Sequence, residues 1–179
     1  MYTSYQTYPC PYYMNKQYYN SDITYDSYNT YHCPYYRNMS MKNSNFSEIQ
    51  LKDYGPEPFV VNIDTAAKRN NNFRTVLWTG DHLQLTLMSI PVGGEIGLEN
   101  HPNLDQFIRI EKGQGLVKMG ARKDLLDFQR RVYDGFAFII PANTWHNLIN
   151  TGNTPLKLYS IYAPPQHPYG TIHVTKEDE

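Results

Sequence analysis

The sequence predicts an all-β domain, an antiparallel sandwich or barrel, behind an N-terminal segment of different character. Three observations support this. From residue 47 onward, short runs alternate apolar and polar residues with period two. Turn signals built on Gly, Pro, Asn and Asp separate these runs every 8–12 residues or so. Residues 1–46 lack such runs: they hold twelve of the seventeen tyrosines, no Val or Leu, and Ile23 as their one Ile.

That first segment has too little aliphatic surface to offset its ordering entropy, so disorder is expected. It contains an internal repeat. Ser4 to Asn15 recurs as Ser27 to Asn38, identical at nine of twelve positions. Each copy carries Cys-Pro-Tyr-Tyr, at Cys10 and at Cys33. Exposed phenols stack and couple oxidatively, and exposed thiols can join chains. The composition resembles bacterial spore-coat proteins, which implies attachment or cross-linking through residues 1–46. A plain low-complexity tail is the alternative, and a soft-metal site at the two thiols is a weaker one.

From residue 47 the elements follow in order. Ser47 to Asp53 and Glu57 to Ile63 read as strands around the Gly55-Pro56 turn. Asp64 is a plausible N-cap for a short helix, Thr65 to Asn70, with Lys68 and Arg69 in its last turn. Phe73 to Thr79 and His82 to Pro91 are strands. In the second, Leu83, Leu85 and Leu87 share one face, and Gln84, Thr86, Met88 and Ile90 share the other. After the Pro91 to Gly94 turn, Glu95 to His101 is a strand that puts Glu99 and His101 on one face. Gln106 to Glu111 and Leu116 to Met119 follow as strands, and Gly120 to Asp127 is a hairpin. Phe128 to Tyr133, Phe136 to Ile140, Trp145 to Asn150 and Leu156 to Tyr162 complete the set. Phe107, Arg109 and Glu111 lie opposite Gln106 and read as a solvated or interface row. Asp105 reads as a turn residue. Pro164 to His173 is too rich in Pro for a helix and reads as an extended arm, followed by a charged tail.

The net charge of −1 argues against nucleic acid or anionic lipid as the main partner. No run of 18 apolar residues exists, and no secretory signal is visible, so a cytoplasmic or spore-coat location is expected. Two cysteines do not make a disulfide scaffold.

Glu99, His101, Gln106 and His146 are candidate ligands of one metal ion. Imidazole, carboxylate and amide oxygen suit Mn, Fe, Ni, Co or Zn with open positions rather than a closed structural zinc site. The spacing resembles that of the cupins. Their first motif runs Gly, five residues, His-x-His, three or four residues, Glu, six residues, Gly. Here Gly93, Glu99, His101, Gln106 and Gly113 take those places. Their second runs Gly, five residues, Pro-x-Gly, two residues, His, three residues, Asn; Gly135, Pro141, His146 and Asn150 match it, and Asn143 stands in place of its second Gly, a mild change because Asn also tolerates a left-handed turn.

The resemblance covers roughly residues 47–172, with 173–179 as a tail. It implies an antiparallel jelly-roll barrel, a divalent metal, a homodimer and a small-molecule substrate. Two ligand positions depart from the common pattern, Glu99 for His and Gln106 for Glu. Glu99 is thus either a ligand or a catalytic base beside a three-ligand metal. His167 is a second candidate catalytic residue at the barrel mouth, with a plain surface role as its alternative. The resemblance leaves three functions open. One is an isomerase, lyase or dioxygenase acting on a sugar, uronate or small organic acid. The others are a coat or structural module and a non-catalytic ligand binder.

Overall fold

The computed structural model describes residues 49–178. The tyrosine-rich repeat and both cysteines lie outside the described residues.

Among the described residues, nine strands form two antiparallel sheets. They are β1 (Arg74–Thr79), β2 (Gln84–Ile90), β3 (Asp105–Lys112), β4 (Gln114–Gly120), β5 (Phe128–Tyr133), β6 (Ala137–Ile140), β7 (Trp145–Asn150), β8 (Leu156–Ala163) and β9 (Ile172–His173). The large sheet has the order β6-β3-β8-β2-β1-β9, and the small one β5-β4-β7. Alternation drives their packing. Ile108 and Ile110 of β3, Met88 and Ile90 of β2, and Leu156 and Leu158 of β8 point inward. They meet Val117, Met119 and Leu148 of the small sheet in one apolar core. This is the expected jelly-roll barrel.

The strand expected at Glu95 to His101 is interrupted. Its backbone pairs with β7 through Ile96 N to Leu148 O at 3.0 Å, and through reciprocal Glu99–His146 bonds at 2.9 Å. Between them Gly97 has φ +102°, which only glycine adopts at low cost. There the Asn147 side chain replaces the ladder, accepting from Gly97 N at 3.2 Å and donating to Glu95 at 2.9 Å. The segment still fixes Glu99 directly across from His146.

The expected strands before residue 64 are not formed. Residues 49–62 instead run as turns and extended chain over the outer face of the large sheet. Leu51, Tyr54, Phe59 and Val61 pack there with Leu85, Leu87 and Tyr159. Alternation in this segment marked one buried face, and that face docks on a sheet without joining it.

The helix is α1 (Ile63–Arg69), which starts two residues earlier than expected. Its cap is Asn62, whose side chain accepts from Thr65 N at 3.0 Å; Asp64 instead sits in the first turn and pairs with Lys68. α1 buries Ala66 and Ala67 in the same outer cluster. The Phe107–Arg109–Glu111 row is therefore not a solvated surface throughout: Glu111 is buried and bound to Arg109. Asp105, expected in a turn, is instead the first residue of β3, opposite Ala163, and its side chain accepts from Ala142 N at 2.8 Å.

The C-terminal arm is tied down at two points. Gln84 bonds the backbone of His167 in both directions, at 2.8 and 2.9 Å. β9 then pairs with β1, placing His173 opposite Arg74. Sequence reading found the arm but not this strand, which is too short to show a period.

Candidate metal centre

Glu99 and His146 meet because their backbones pair, and His101 joins them two residues beyond Glu99. The carbonyl of His101 accepts from Asn143 N at 2.7 Å, and Asn143 adopts φ 62°. Asn is among the few residues that tolerate this left-handed conformation. Asn150 holds the far end of β7 by donating to the carbonyls of Ile90, Pro91 and Thr154 at 2.9–3.0 Å. Asn143, at a Gly position of the motif, and Asn150, at its Asn position, thus act on the backbone that carries the ligands.

One atom from each of Glu99, His101 and His146 lies within 4.8 Å of the others. Glu99 Oε2 is 3.3 Å from His101 Nε2 and 3.7 Å from His146 Nε2. Neither imidazole nitrogen has a hydrogen-bond partner, although both are buried. Gln106 enters from β3, 2% exposed, and its Nε2 donates to Ser160 Oγ at 2.9 Å. Its Oε1 is therefore turned away, buried and unbonded.

These orphaned atoms test whether the residues fit a cation. His146 Nδ1 lies 2.9 Å from the Thr144 carbonyl, which can only accept. Nδ1 therefore carries a proton, the arrangement in which Nε2 of a neutral ring would present its lone pair to a metal. That nitrogen faces a carboxylate oxygen, which also presents lone pairs. Buried polar atoms left without a partner are costly, and a cation seated between these groups would satisfy them. The donor set, two imidazole nitrogens and a carboxylate with an amide oxygen on the neighbouring strand, fits a divalent transition metal.

Burial alone would raise the Glu99 pKa. The imidazoles of His101 and His146 and the Arg74 guanidinium, 3.9 Å away, override it and hold the pKa at about 2. Glu99 is therefore ionised at any ordinary pH. It suits a ligand better than a proton acceptor, whose pKa should lie nearer the working pH.

His167 stands one ring further out. Its ring packs edge-on against Tyr162 at 5.1 Å, and Tyr162 packs edge-on against His101 at 5.8 Å. Burial pushes its pKa down to about 3, helped by the Arg74 charge, so the ring is neutral at pH 7. Its Nε2 is buried and unbonded. Because the folded protein binds this proton less readily than the unfolded chain, the stabilising effect is complete above about pH 6.5. It is lost as pH falls toward 3. In acid titrations of metal-free protein followed by circular dichroism, His167→Asn is expected to flatten the stability profile between these limits. An unchanged profile would contradict the burial of this ring.

Sequence reasoning missed Arg74, Ser160 and the clamp formed by Gln84. Arg74 is 1% exposed on the inner side of β1, in register with Met88. An Arg at the head of an otherwise apolar strand was the available signal. Of Tyr159 and Tyr162, which the strand period places on opposite faces, Tyr162 is the one facing the site. No helix among the described residues is long and apolar enough to cross a membrane.

Comparison with known proteins bears on the same residues. A family model described as "Cupin domain" matches residues 86–162, which include all four candidate ligands. The uncharacterized protein YrkC of Bacillus subtilis (strain 168) is 70% identical over 128 residues, covering 72% of this chain and 69% of YrkC. An uncharacterized protein of Acanthamoeba polyphaga mimivirus is 43% identical over 119 residues, covering 66% of this chain and 72% of its own. A crystal structure from Bacillus halodurans has 67% identity and a TM-score of 0.71, covering 71% of this chain and 96% of that one. The barrel, both spaced motifs and these relatives agree: the chain belongs to the cupin superfamily.

Proposed function

We propose that the barrel is a metal-dependent enzyme that binds a small uronate, sugar acid or other small organic acid and catalyses a proton transfer of the isomerase or lyase type. The observation that carries this reading is the group of buried polar atoms without a hydrogen-bond partner: His101 Nε2, His146 Nε2 and Gln106 Oε1 around the Glu99 carboxylate.

Glu99, His101 and His146 would hold the ion, and Gln106 Oε1 would be the fourth donor. A bound divalent ion supplies Lewis acidity at a substrate oxygen. Glu99 contributes one negative charge and the other three donors none, so the loaded site stays cationic. Arg74 adds a second positive charge beside it. That balance favours an anionic substrate. His167, neutral and unbonded at Nε2, accepts a hydrogen bond from the substrate at the mouth. Gln84 keeps the ring in place through the His167 backbone.

The experiment is a turnover screen of the metal-loaded full chain by NMR, against uronates, sugar acids and short hydroxy acids. Turnover is expected with one member, lost with a chelator. His167→Asn is expected to lower it about tenfold, through the lost substrate hydrogen bond, with metal content unchanged. Stoichiometric metal with neither turnover nor binding across the panel would overturn the enzymatic reading.

A further inference from the structure

A cavity of about 540 Å³ lies away from the Glu99–His101–His146 group, and none of the candidate metal or catalytic residues lines it. Its volume falls among those of ordinary small-molecule sites, which run roughly 300–1,000 Å³. It sits where β2 ends and β8 begins. There Ser89 and Lys157 are direct partners across the ladder. Met88 and Leu158, the preceding pair in that register, point into the core, so Ser89 and Lys157 point out of it. Ser89 is five residues along β2 from Gln84, which clamps the His167 arm, a distance of about 16 Å.

The cavity has an apolar side and a charged one. Phe73, Pro91, Pro155 and Val174 form the apolar side. On the other, Lys157 is 6% exposed. Its ammonium donates to the Asn70 carbonyl and to Asn71 Oδ1. Both acceptors are neutral, and among the described residues no carboxylate pairs with it. Three donors on an ammonium leave one to spare.

The two carboxylates at the rim are engaged elsewhere. Glu95 accepts from Asn147 at 2.9 Å and lies 3.7 Å from Lys176 Nζ. Glu177 is fully exposed and hydrogen-bonds within its own turn, to a backbone N–H and to Thr175. Burial, with the charge of Lys112 nearby, lowers the Lys157 pKa, as expected of a cation short of a counter-charge. Asn70 is the C-cap of α1, so Lys157 also caps that helix. Capping explains one hydrogen bond and leaves the cavity beside the ammonium unexplained.

We propose that this cavity is a second ligand site, separate from the metal centre, for a small carboxylate with an apolar body. The carboxylate accepts from Lys157 Nζ and from the Ser89 hydroxyl. The body lies against Phe73, Pro91 and Val174.

The test is an NMR titration of the full chain, labelled with nitrogen-15. The probe is sodium benzoate, with benzamide as the neutral isostere and sodium chloride for ionic strength. Benzoate is expected to give saturable shifts at the amides of Asn71, Phe73, Ser89, Lys157 and Val174, with chelator present or absent. Benzamide should bind about tenfold more weakly, the worth of one charged hydrogen bond. Lys157→Met should remove that preference. Because Lys157 also holds Asn70, Val174→Trp provides a second variant: it fills the cavity from an exposed wall and leaves that bond intact. It should abolish binding with the melting temperature unchanged. Equal binding of benzoate and benzamide, shifts only around Glu99 and His146, no saturable shift, or benzoate binding retained in both variants would each overturn the proposal.

Discussion

Replacing His146 with Ala is expected to abolish stoichiometric metal binding. His146 is 1% exposed, so its imidazole is a buried part of the site. Its Nδ1–H is fixed on the Thr144 carbonyl, so the ring is held with Nε2 toward Glu99 before any ion arrives. Removing such a pre-oriented ligand should cost more than the 10–100-fold typical of losing an outer hydrogen-bond partner. A loss on the order of a thousandfold in affinity is expected, read by competition with a chromogenic chelator. The His146 backbone still pairs with Glu99, so the strand should persist and circular dichroism should be unchanged. Glu99→Gln keeps the shape and removes the charge, and it too should weaken binding. Full metal occupancy in His146→Ala would place the ion elsewhere.

Leu158→Ala is expected to produce the largest loss of stability of any single truncation in the barrel. Leu158 is fully buried at the middle of β8, between Met88 of β2 and Ile110 of β3, and its side chain enters the core. β8 joins the two halves of the large sheet, so the surroundings have little freedom to collapse. Truncations of this kind cost about 2–5 kcal/mol through lost transfer energy and the residual cavity. For a domain of this size the melting temperature should fall by on the order of 10 °C. A shift of a degree or two would mean that the two sheets are not packed through this residue.

Much of the fold was legible because alternation is a local signal. β2, β3, β5, β7 and β8 lie within two residues of where the period of two puts them. The segment before residue 64 was not, because a chain docked on a sheet and a strand within it bury the same alternating face. Only the missing ladder distinguishes them, and ladder partners are remote in sequence. The break at Gly97 depends on the Asn147 side chain, fifty residues away, and has no local trace.

The candidate site divides the same way. Glu99, His101, Gln106 and His146 were legible as a spaced motif, since a fixed fold converts spacing into convergence. The structure brings the first three-residue group, Glu99, His101 and His146, together directly, and turns Gln106 into the interior through Ser160. Arg74 was not legible as part of the site: its role rests on reaching Glu99 across the barrel, and a single Arg in a strand forms no spaced motif. Nor was the cavity beside Lys157, assembled from four separate stretches of chain.

Anomalous diffraction at the metal edge, from crystals of protein purified without an affinity metal and loaded with manganese or zinc, tests the metal centre most directly. One strong peak within bonding distance of Glu99 Oε2, His101 Nε2 and His146 Nε2 is the expected result. A peak elsewhere on the chain, or none after loading, would contradict it.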